Sequence, residues 1–435
     1  MLTSSKILKG INGIVKIPGD KSISHRSIII PAISNGNCKI SNILMSEDVL
    51  NTLNTFELMG VKIEKNGNNL MIQGKGLNSL NKSKNSFHLG NSGTSARLLT
   101  GLLASQKFKS KLTGDESLSK RPMQRITEPL ELMGAKFKSS DNKLPLEIYG
   151  QNLRNIKYEL KLPSAQVKSG IILAALNTFG TTEIIETNIT RNHTEILLES
   201  FEANIKQKKI GNSNIISIEG KKELRSKDIS VPSDLSSAAF FIVAALINPN
   251  SKIKMFNINL NPTRNGIIIA LKKMGAKIET SNKREVNGEL VYDVQVESSD
   301  LKGCELDESI AELMIDEYPI LSVAAAHASS PSIFKGLKEL KVKESDRLEL
   351  IRYNLDNCGI TCNVTEDNLY IDPLKKSAPK QNLITTENDH RIAMAFAVMG
   401  SKLGVDLKIK NPEFINTSFP NFSEKFNAVG GRVTE

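Results

Sequence analysis

The sequence predicts an α/β protein of two domains, built from six copies of one helix-and-strand unit. Three observations predict it. The chain has 435 residues, more than one small core absorbs and enough for two domains of roughly 200 residues each. A pattern of amphipathic helix, glycine, strand, polar turn and strand recurs along it. Short segments rich in Gly, Ser, Asp and basic residues stand at the starts of apolar helices in both halves.

The first copy is the helix end Leu53–Gly60, the strand Val61-Lys62-Ile63-Glu64 and the strand Leu70-Met71-Ile72. The second runs from Leu130-Glu131-Leu132-Met133-Gly134-Ala135 to Leu146–Tyr149, and the third from Phe201–Ile205 to Ile215–Ile218. Leu271–Ile278 with Tyr292–Val296 is the fourth, and Leu355–Ile360 with Leu369–Ile371 the fifth. Phe426–Val433 reads as a sixth, cut short by the C-terminus. Each unit reads as a helix ended by a C-cap glycine in the left-handed conformation, then two strands. A spacing of about 70 to 85 residues is too long for a solenoid and fits small α/β subdomains, three per domain.

The boundary is expected between the third and fourth copies, where polar Lys221–Asp228 gives way to Ile229–Asp234 and the apolar helix Leu235–Ile247. If the sixth copy pairs with the N-terminal strand, residues 1–19 join 229–435 in a discontinuous domain. Residues 20–228 then form an inserted domain, and Gly19-Asp20-Lys21 lies on a crossing.

Composition narrows the function. The formal net charge is +10, open to nucleic-acid binding, anionic small substrates or plain lysine bias. The 44 lysines are spread along the chain, aromatics make up 5 %, and no basic block interleaves them, which argues against nucleic acid. No run approaches the ~18 apolar residues of a membrane span. The N-terminus has no secretory pattern, so the cytoplasm is expected. Cys38, Cys304, Cys358 and Cys362 read as reduced thiols, and Cys358/Cys362 lacks the second Cys/His cluster of a metal site.

Only 13 of the 57 basic residues are arginine, so their positions inform. Arg26, Arg97, Arg121, Arg191, Arg347 and Arg391 each sit in a polar or glycine-bearing segment, and the guanidinium fork suits phosphate and carboxylate. Gly19–Arg26 ends a strand at Pro18-Gly19 and opens a helix that Asp20 or Ser22 can cap, leaving N–H groups for an anion beside Lys21, Ser22 and Arg26. It is not a P-loop, since Asp20 interrupts Gly-Lys. Leu89–Arg97 repeats the grammar, with Gly93 allowing close backbone approach. Gly114–Met123 ends in Lys120-Arg121, Pro163–Gly170 puts Ser and Gln at a helix start, and Thr190–Thr194 is a similar cap. In the second half Asp316-Glu317, Lys341–Arg347 and Asn388–Arg391 precede or open helices. Their repeated placement argues for one large anion site served by both domains.

Six segments, GDKSISHR, LGNSGTSAR, GDESLSKRPM, PSAQVKSG, VKESDR and NDHRIAM, stand in order. Together they closely resemble the EPSP synthase family of enolpyruvate transferases over nearly the whole chain. The resemblance implies a two-domain inverse α/β barrel of six βαβαββ repeats. It implies transfer of the enolpyruvyl group of phosphoenolpyruvate to the 5-hydroxyl of shikimate 3-phosphate, both small molecules, with no metal or organic cofactor; a monomer is the default expectation. Lys21, Ser22, Arg26, Ser164, Ala165, Gln166, Arg191, Asp316 and Lys343 would then meet shikimate 3-phosphate. Lys21, Asn91, Gly93, Thr94, Arg121, Gln166, Glu344, Arg347, His390 and Arg391 would meet phosphoenolpyruvate. Asp316, Glu344 and Lys21 would be catalytic. Inhibition by glyphosate, whose anionic groups resemble those of phosphoenolpyruvate, is implied as well.

Two departures from the family stand out. Thr417 occupies a position that is Lys in many members, and Ala165 replaces the second serine of Ser-Ser-Gln. The rival in the same fold, the transferase that uses UDP-N-acetylglucosamine, carries a reactive cysteine in the loop corresponding to Gly114–Pro122, where this chain has none. A non-catalytic binder of phosphorylated metabolites would gain nothing from Asp316 and Glu344.

Overall fold

The computed structural model describes residues 1–211 and 213–435. The chain divides into two compact units. The inserted unit comprises Gly19–Val231 with Glu285–Glu289, and the flanking unit comprises Met1–Pro18, Pro232–Arg284 and Leu290–Glu435.

Among the described residues the strands form six four-stranded sheets. In each, one edge strand runs parallel to its neighbour, and that neighbour pairs antiparallel with the next strand. The sheet of the second repeat shows the pattern: Phe87–His88 pairs in parallel with Lys109–Thr113, which pairs with Leu146–Tyr149, which pairs with Lys136–Lys138. Three sheets recruit a strand from far along the chain. Ile229–Ser230 lies parallel to Asn35–Ser41, with Ile229 opposite Ile40. Asn12–Val15 lies parallel to Lys252–Asn259. Leu2–Ser4 is sandwiched between Leu407–Ile409 and Val433–Thr434, with Leu2 opposite Ile409 and Ser4 opposite Val433.

The helices explain why the sheets lie outside. Leu235–Ile247 and Tyr318–Ala326 are buried at every residue, and His390–Gly400 at every residue but Arg391. A helix apolar all round must sit in a core. The strands instead alternate buried and exposed residues, as in Asn69–Lys75, so each sheet has one wet face. Sheets therefore wrap helices, the inverse of the usual α/β barrel. Lys21–Ala32, Gly93–Ala104 and Ala165–Ala175 are the corresponding inner helices of the inserted unit. Gly93–Ala104 and Ala165–Ala175 touch backbone to backbone: a Cβ on Gly101 would fall 1.9 Å from the Gly170 carbonyl oxygen. Each unit has its own hydrophobic core.

Each repeat also has an outer helix, and its C-terminal residue follows one rule with one exception. Gly60, Gly134, Gly275, Gly359 and Gly430 all take positive φ after those helices, between 82° and 111°. In the third repeat the position is Glu202, at φ 63°. The sequence reading placed a glycine in every copy; here the fold imposes the turn on a residue with a Cβ. Its side chain pairs with exposed Arg225, 3.6 Å away, a contact worth little in water.

Glu202→Gly is therefore expected to stabilise the protein by about 1 kcal/mol, through relief of the left-handed strain. The corresponding thermal midpoint should rise by about 2–4 °C in scanning calorimetry. A lowered midpoint would show that the exposed ion pair outweighs the strain.

Candidate active site

The inserted unit gathers the first turns of its three inner helices. Asp20 caps the first by accepting from the Ile23 N–H at 2.9 Å, Ser92 the second from Ser95 N–H at 3.1 Å, and Ser164 the third from Val167 N–H at 3.3 Å. Side chains then tie the three ends together. Gln166 Nε2 donates to Thr94 Oγ1 at 3.0 Å, and Arg26 Nη2 to Ser169 Oγ at 2.7 Å. His25 Nδ1 lies 2.8 Å from Thr52 Oγ1 in a hydroxyl chain that runs on through Ser95 to Ser92. Helices crosslinked through their first two turns present their N–H groups at one end, where the helix dipoles favour negative charge.

Charge at that end is mostly positive. Lys21 pairs with buried Asp48. Arg26 is 3 % exposed and donates also to Thr194 Oγ1 at 2.6 Å and to the Ser22 carbonyl at 2.8 Å. Burial pulls the Arg26 guanidinium down to about 10, against the opposing pull of Glu195 and Asp20; Arg191 adds like-charge repulsion. It stays charged at neutral pH, and a second guanidinium is near enough to be felt. Burial, then Lys21 and Arg26, hold His25 well below the ordinary imidazole range, so its ring is neutral. Arg121 donates to Asn91 Oδ1 and, at 3.2 Å, to Ser117 Oγ. A Cβ on Gly93 would stand 2.7 Å from Arg97 Nη1 and 3.1 Å from Arg121 Nη1, so the glycine keeps the ground before Arg121 open. Ala165 is the first residue of its helix, where the family's hydroxyl is missing.

The flanking unit gathers its inner helices in the same way. Ser236 donates to Glu317 across two of them, and Arg391 Nη1 donates to the Asp316 carbonyl at 3.2 Å across another pair. The hub is Arg347, which is fully buried. Its Nε donates to Asp389 Oδ2 at 2.7 Å, its Nη1 to Asp316 Oδ1 at 3.2 Å, and its Nη2 lies 2.5 Å from Glu344 Oε2. Burial alone would lower the Arg347 pKa; Asp389, Glu344 and Asp316 together raise it above its ordinary value. Lys343 Nζ stands 3.6 Å from Asp316 Oδ1. Exposure differs across the cluster: Arg347 and Asp389 are 0 % exposed, whereas Asp316 is 17 %, Glu344 20 % and Lys343 27 % exposed.

His390 is buried at the start of the helix that Asp389 caps, and Thr417 Oγ1 lies 3.3 Å from its Nδ1. Thr417, at the position often Lys in the family, donates to the Phe414 carbonyl at 2.7 Å and so is turned inward. The predicted site residues thus fall into two sets, one in each unit: Lys21, Ser22, Arg26, Asn91, Gly93, Thr94, Arg121, Ser164, Ala165, Gln166 and Arg191, and then Asp316, Lys343, Glu344, Arg347, His390 and Arg391. Sequence reasoning missed Asp48, Ser169, Thr194 and Asp389 as the groups that hold Lys21, Arg26 and Arg347. Asp389 had a signal, a carboxylate just before a helix; Asp48 had none, because its partner is 27 residues away. Among the described residues no cluster of three or more His, Cys, Asp or Glu side chains has the arrangement of a metal site, and no helix is long and apolar enough to cross a membrane.

Comparison with known proteins agrees with this architecture. Residues 6–426 match the family described as EPSP synthase (3-phosphoshikimate 1-carboxyvinyltransferase). The chain is 47% identical over 429 residues to the 3-phosphoshikimate 1-carboxyvinyltransferase of Ruthia magnifica subsp. Calyptogena magnifica, covering 98% of both chains. To that of Thermoanaerobacter sp. (strain X514) it is 44% identical over 420 residues, covering 96% of this chain and 98% of the other. The solved EPSP synthase of Acinetobacter baumannii superposes with a TM-score of 0.87 at 41% identity, over 100% of this chain and 99% of that one. The enolpyruvyl transferase NikO of Streptomyces tendae shares the fold at 15% identity, with a TM-score of 0.78 over 100% and 98% of the two chains. Full-length likeness in sequence and fold leads to one assignment: the chain belongs to the EPSP synthase family.

Proposed function

We propose that this protein transfers the enolpyruvyl group of phosphoenolpyruvate to the 5-hydroxyl of shikimate 3-phosphate, releasing phosphate, in the shikimate pathway to chorismate. The observation that carries the reading is the Arg347 hub, where one buried guanidinium holds the two partly exposed carboxylates Asp316 and Glu344. The names of its relatives support the same reaction.

In this reading Lys21, Ser22, Arg26, Ser164, Gln166, Arg191 and Lys343 hold shikimate 3-phosphate, and the two guanidiniums Arg26 and Arg191 take anionic oxygens. Arg121, Arg347 and Arg391 hold the carboxylate and phosphate of phosphoenolpyruvate, with Gly93 leaving room and Asn91 aligning Arg121. Asp316 accepts the proton of the 5-hydroxyl as that oxygen attacks C2 of phosphoenolpyruvate. Glu344, assisted by Lys21, delivers a proton to C3, which becomes a methyl group in the tetrahedral adduct. Glu344 then takes a proton back from C3 as the C2–O bond to phosphate breaks, restoring the double bond, and the departing phosphate carries off the proton that Asp316 accepted. Phosphoenolpyruvate drawn to Arg347 would share that cation, which eases protonation of Glu344 for the first step. Cationic groups stabilise the adduct's charge throughout. Four buried free thiols fit a reducing compartment, and we take the site of action to be the cytoplasm.

A phosphate-release assay with phosphoenolpyruvate is expected to show turnover with shikimate 3-phosphate and none with UDP-N-acetylglucosamine; the reverse would overturn the reading. Asp316→Asn and Glu344→Gln should each lower kcat by at least about 100-fold. Both should still bind shikimate 3-phosphate in calorimetry, and wild-type turnover in either would remove its assigned role. Gly93→Ala should crowd the Arg121 guanidinium and weaken both phosphoenolpyruvate and glyphosate by about tenfold, read as a rise in KM and in the inhibition constant. An unchanged inhibition constant would move the inhibitor away from Gly93.

A further inference from the structure

Lys168 lies in one of the six segments, yet nothing in the reaction above uses it. Its side chain is 0 % exposed, an uncommon place for an ammonium group. It survives there because it is fully coordinated. Nζ is 3.0 and 3.2 Å from the two oxygens of Glu186, 2.8 Å from Glu195 Oε1 and 3.3 Å from the Thr190 carbonyl. Both carboxylates are buried as well. One cation against two carboxylates leaves a buried negative charge, and Arg26 is the guanidinium on which Glu195 acts.

The cluster grips both ends of one short segment, Thr190–Glu195. Glu186 Oε2 accepts from the Thr190 N–H at 3.3 Å and from its hydroxyl at 3.0 Å. At the far end Lys168 holds Glu195. Between them His193 Nδ1 lies 2.6 Å from Glu289 Oε1, and Thr194 Oγ1 meets Arg26 and, at 2.7 Å, Ser169. Arg191 and Asn192 alone in the segment stay partly exposed. A segment pinned on both sides of one guanidinium presents that guanidinium in a fixed direction.

We propose that Lys168 is a positioning residue for shikimate 3-phosphate: clamped by Glu186 and Glu195, it sets the Thr190–Glu195 segment so that Arg191 and Arg26 face one anion. This rests on the reading that those two arginines take that substrate. Without Lys168, Glu186 and Glu195 repel each other. The Thr190 end of the segment then loosens, and Glu195 pulls Arg26 inward. The loss falls on binding and leaves the proton-transfer groups of the flanking unit untouched.

The test is Lys168→Met, with Glu186→Gln as a milder, near-isosteric second variant. The expected result for Lys168→Met is a rise of about tenfold or more in the shikimate 3-phosphate dissociation constant by calorimetry. The KM for that substrate should rise in parallel, with kcat and the KM for phosphoenolpyruvate within about threefold of wild type. Glu186→Gln should raise the same dissociation constant several-fold. A purely structural role would instead lower kcat per mole of protein at unchanged affinity, and that pattern overturns the proposal. If Lys168→Met does not fold, Glu186→Gln decides: weakened binding supports the clamp, and wild-type affinity overturns it. Wild-type protein that fails to bind shikimate 3-phosphate would overturn the underlying reading of Arg26 and Arg191, a result distinct from tight binding unaffected by either variant.

Discussion

Three inner helices in each unit are tied together near their N-termini by side-chain hydrogen bonds, and this crosslinking is the constraint on which everything else rests. Helices buried on all sides cannot offer a polar flank, so their only polar surfaces are their ends. Ser92, Ser164, Asp20 and Asp389 each satisfy some of the orphan N–H groups there. Gln166 on Thr94 and Arg26 on Ser169 keep the ends level with one another. The sheets then have one task, to cover the apolar sides, which is why each has a wet outer face and why no strand residue figures among the proposed substrate ligands.

Burying cations at such an end costs desolvation, and the two units meet that cost differently. In the flanking unit Arg347 is matched directly by Asp389, so the pair acts as a neutral post from which Asp316 and Glu344 are held at the partly exposed edge. In the inserted unit Arg26 leans on neutral acceptors, the Thr194 and Ser169 hydroxyl groups and the Ser22 carbonyl. The carboxylate whose charge acts on it most, Glu195, is already engaged by Lys168. Arg26 therefore keeps an appetite for a further anion.

Much of this was legible in the sequence because it is local. Helix caps, apolar helices and C′ glycines are set by residues within a few positions of one another, so the six copies and the order of the site segments could be read directly. The exception at Glu202 escaped because backbone conformation was imposed there by the surrounding repeat rather than chosen by the residue. What holds the charged groups also escaped. Asp48 on Lys21, Thr194 on Arg26 and Glu186 on Lys168 are contacts between elements, and no periodicity announces them. The Thr417 departure was visible as a missing lysine, but only the structure shows its hydroxyl turned to the Phe414 carbonyl and beside His390.

The strands borrowed from the far end of the chain impose an order in time. The inserted unit takes its edge strand from Ile229–Ser230, so nearly all of its chain has left the ribosome once that point is passed. The flanking unit cannot close so early. Leu2–Ser4 must wait for Leu407–Ile409 and Val433–Thr434, and Asn12–Val15 must wait for Lys252–Asn259. During synthesis Asn12–Val15, with apolar Val15, thus stays unpaired until Lys252–Asn259 has emerged, and Leu2–Ser4, with apolar Leu2, until Leu407–Ile409 and Val433–Thr434 have. The same wrapping makes Leu2–Ser4 and Val433–Thr434, about 430 residues apart in the chain, neighbours in one sheet.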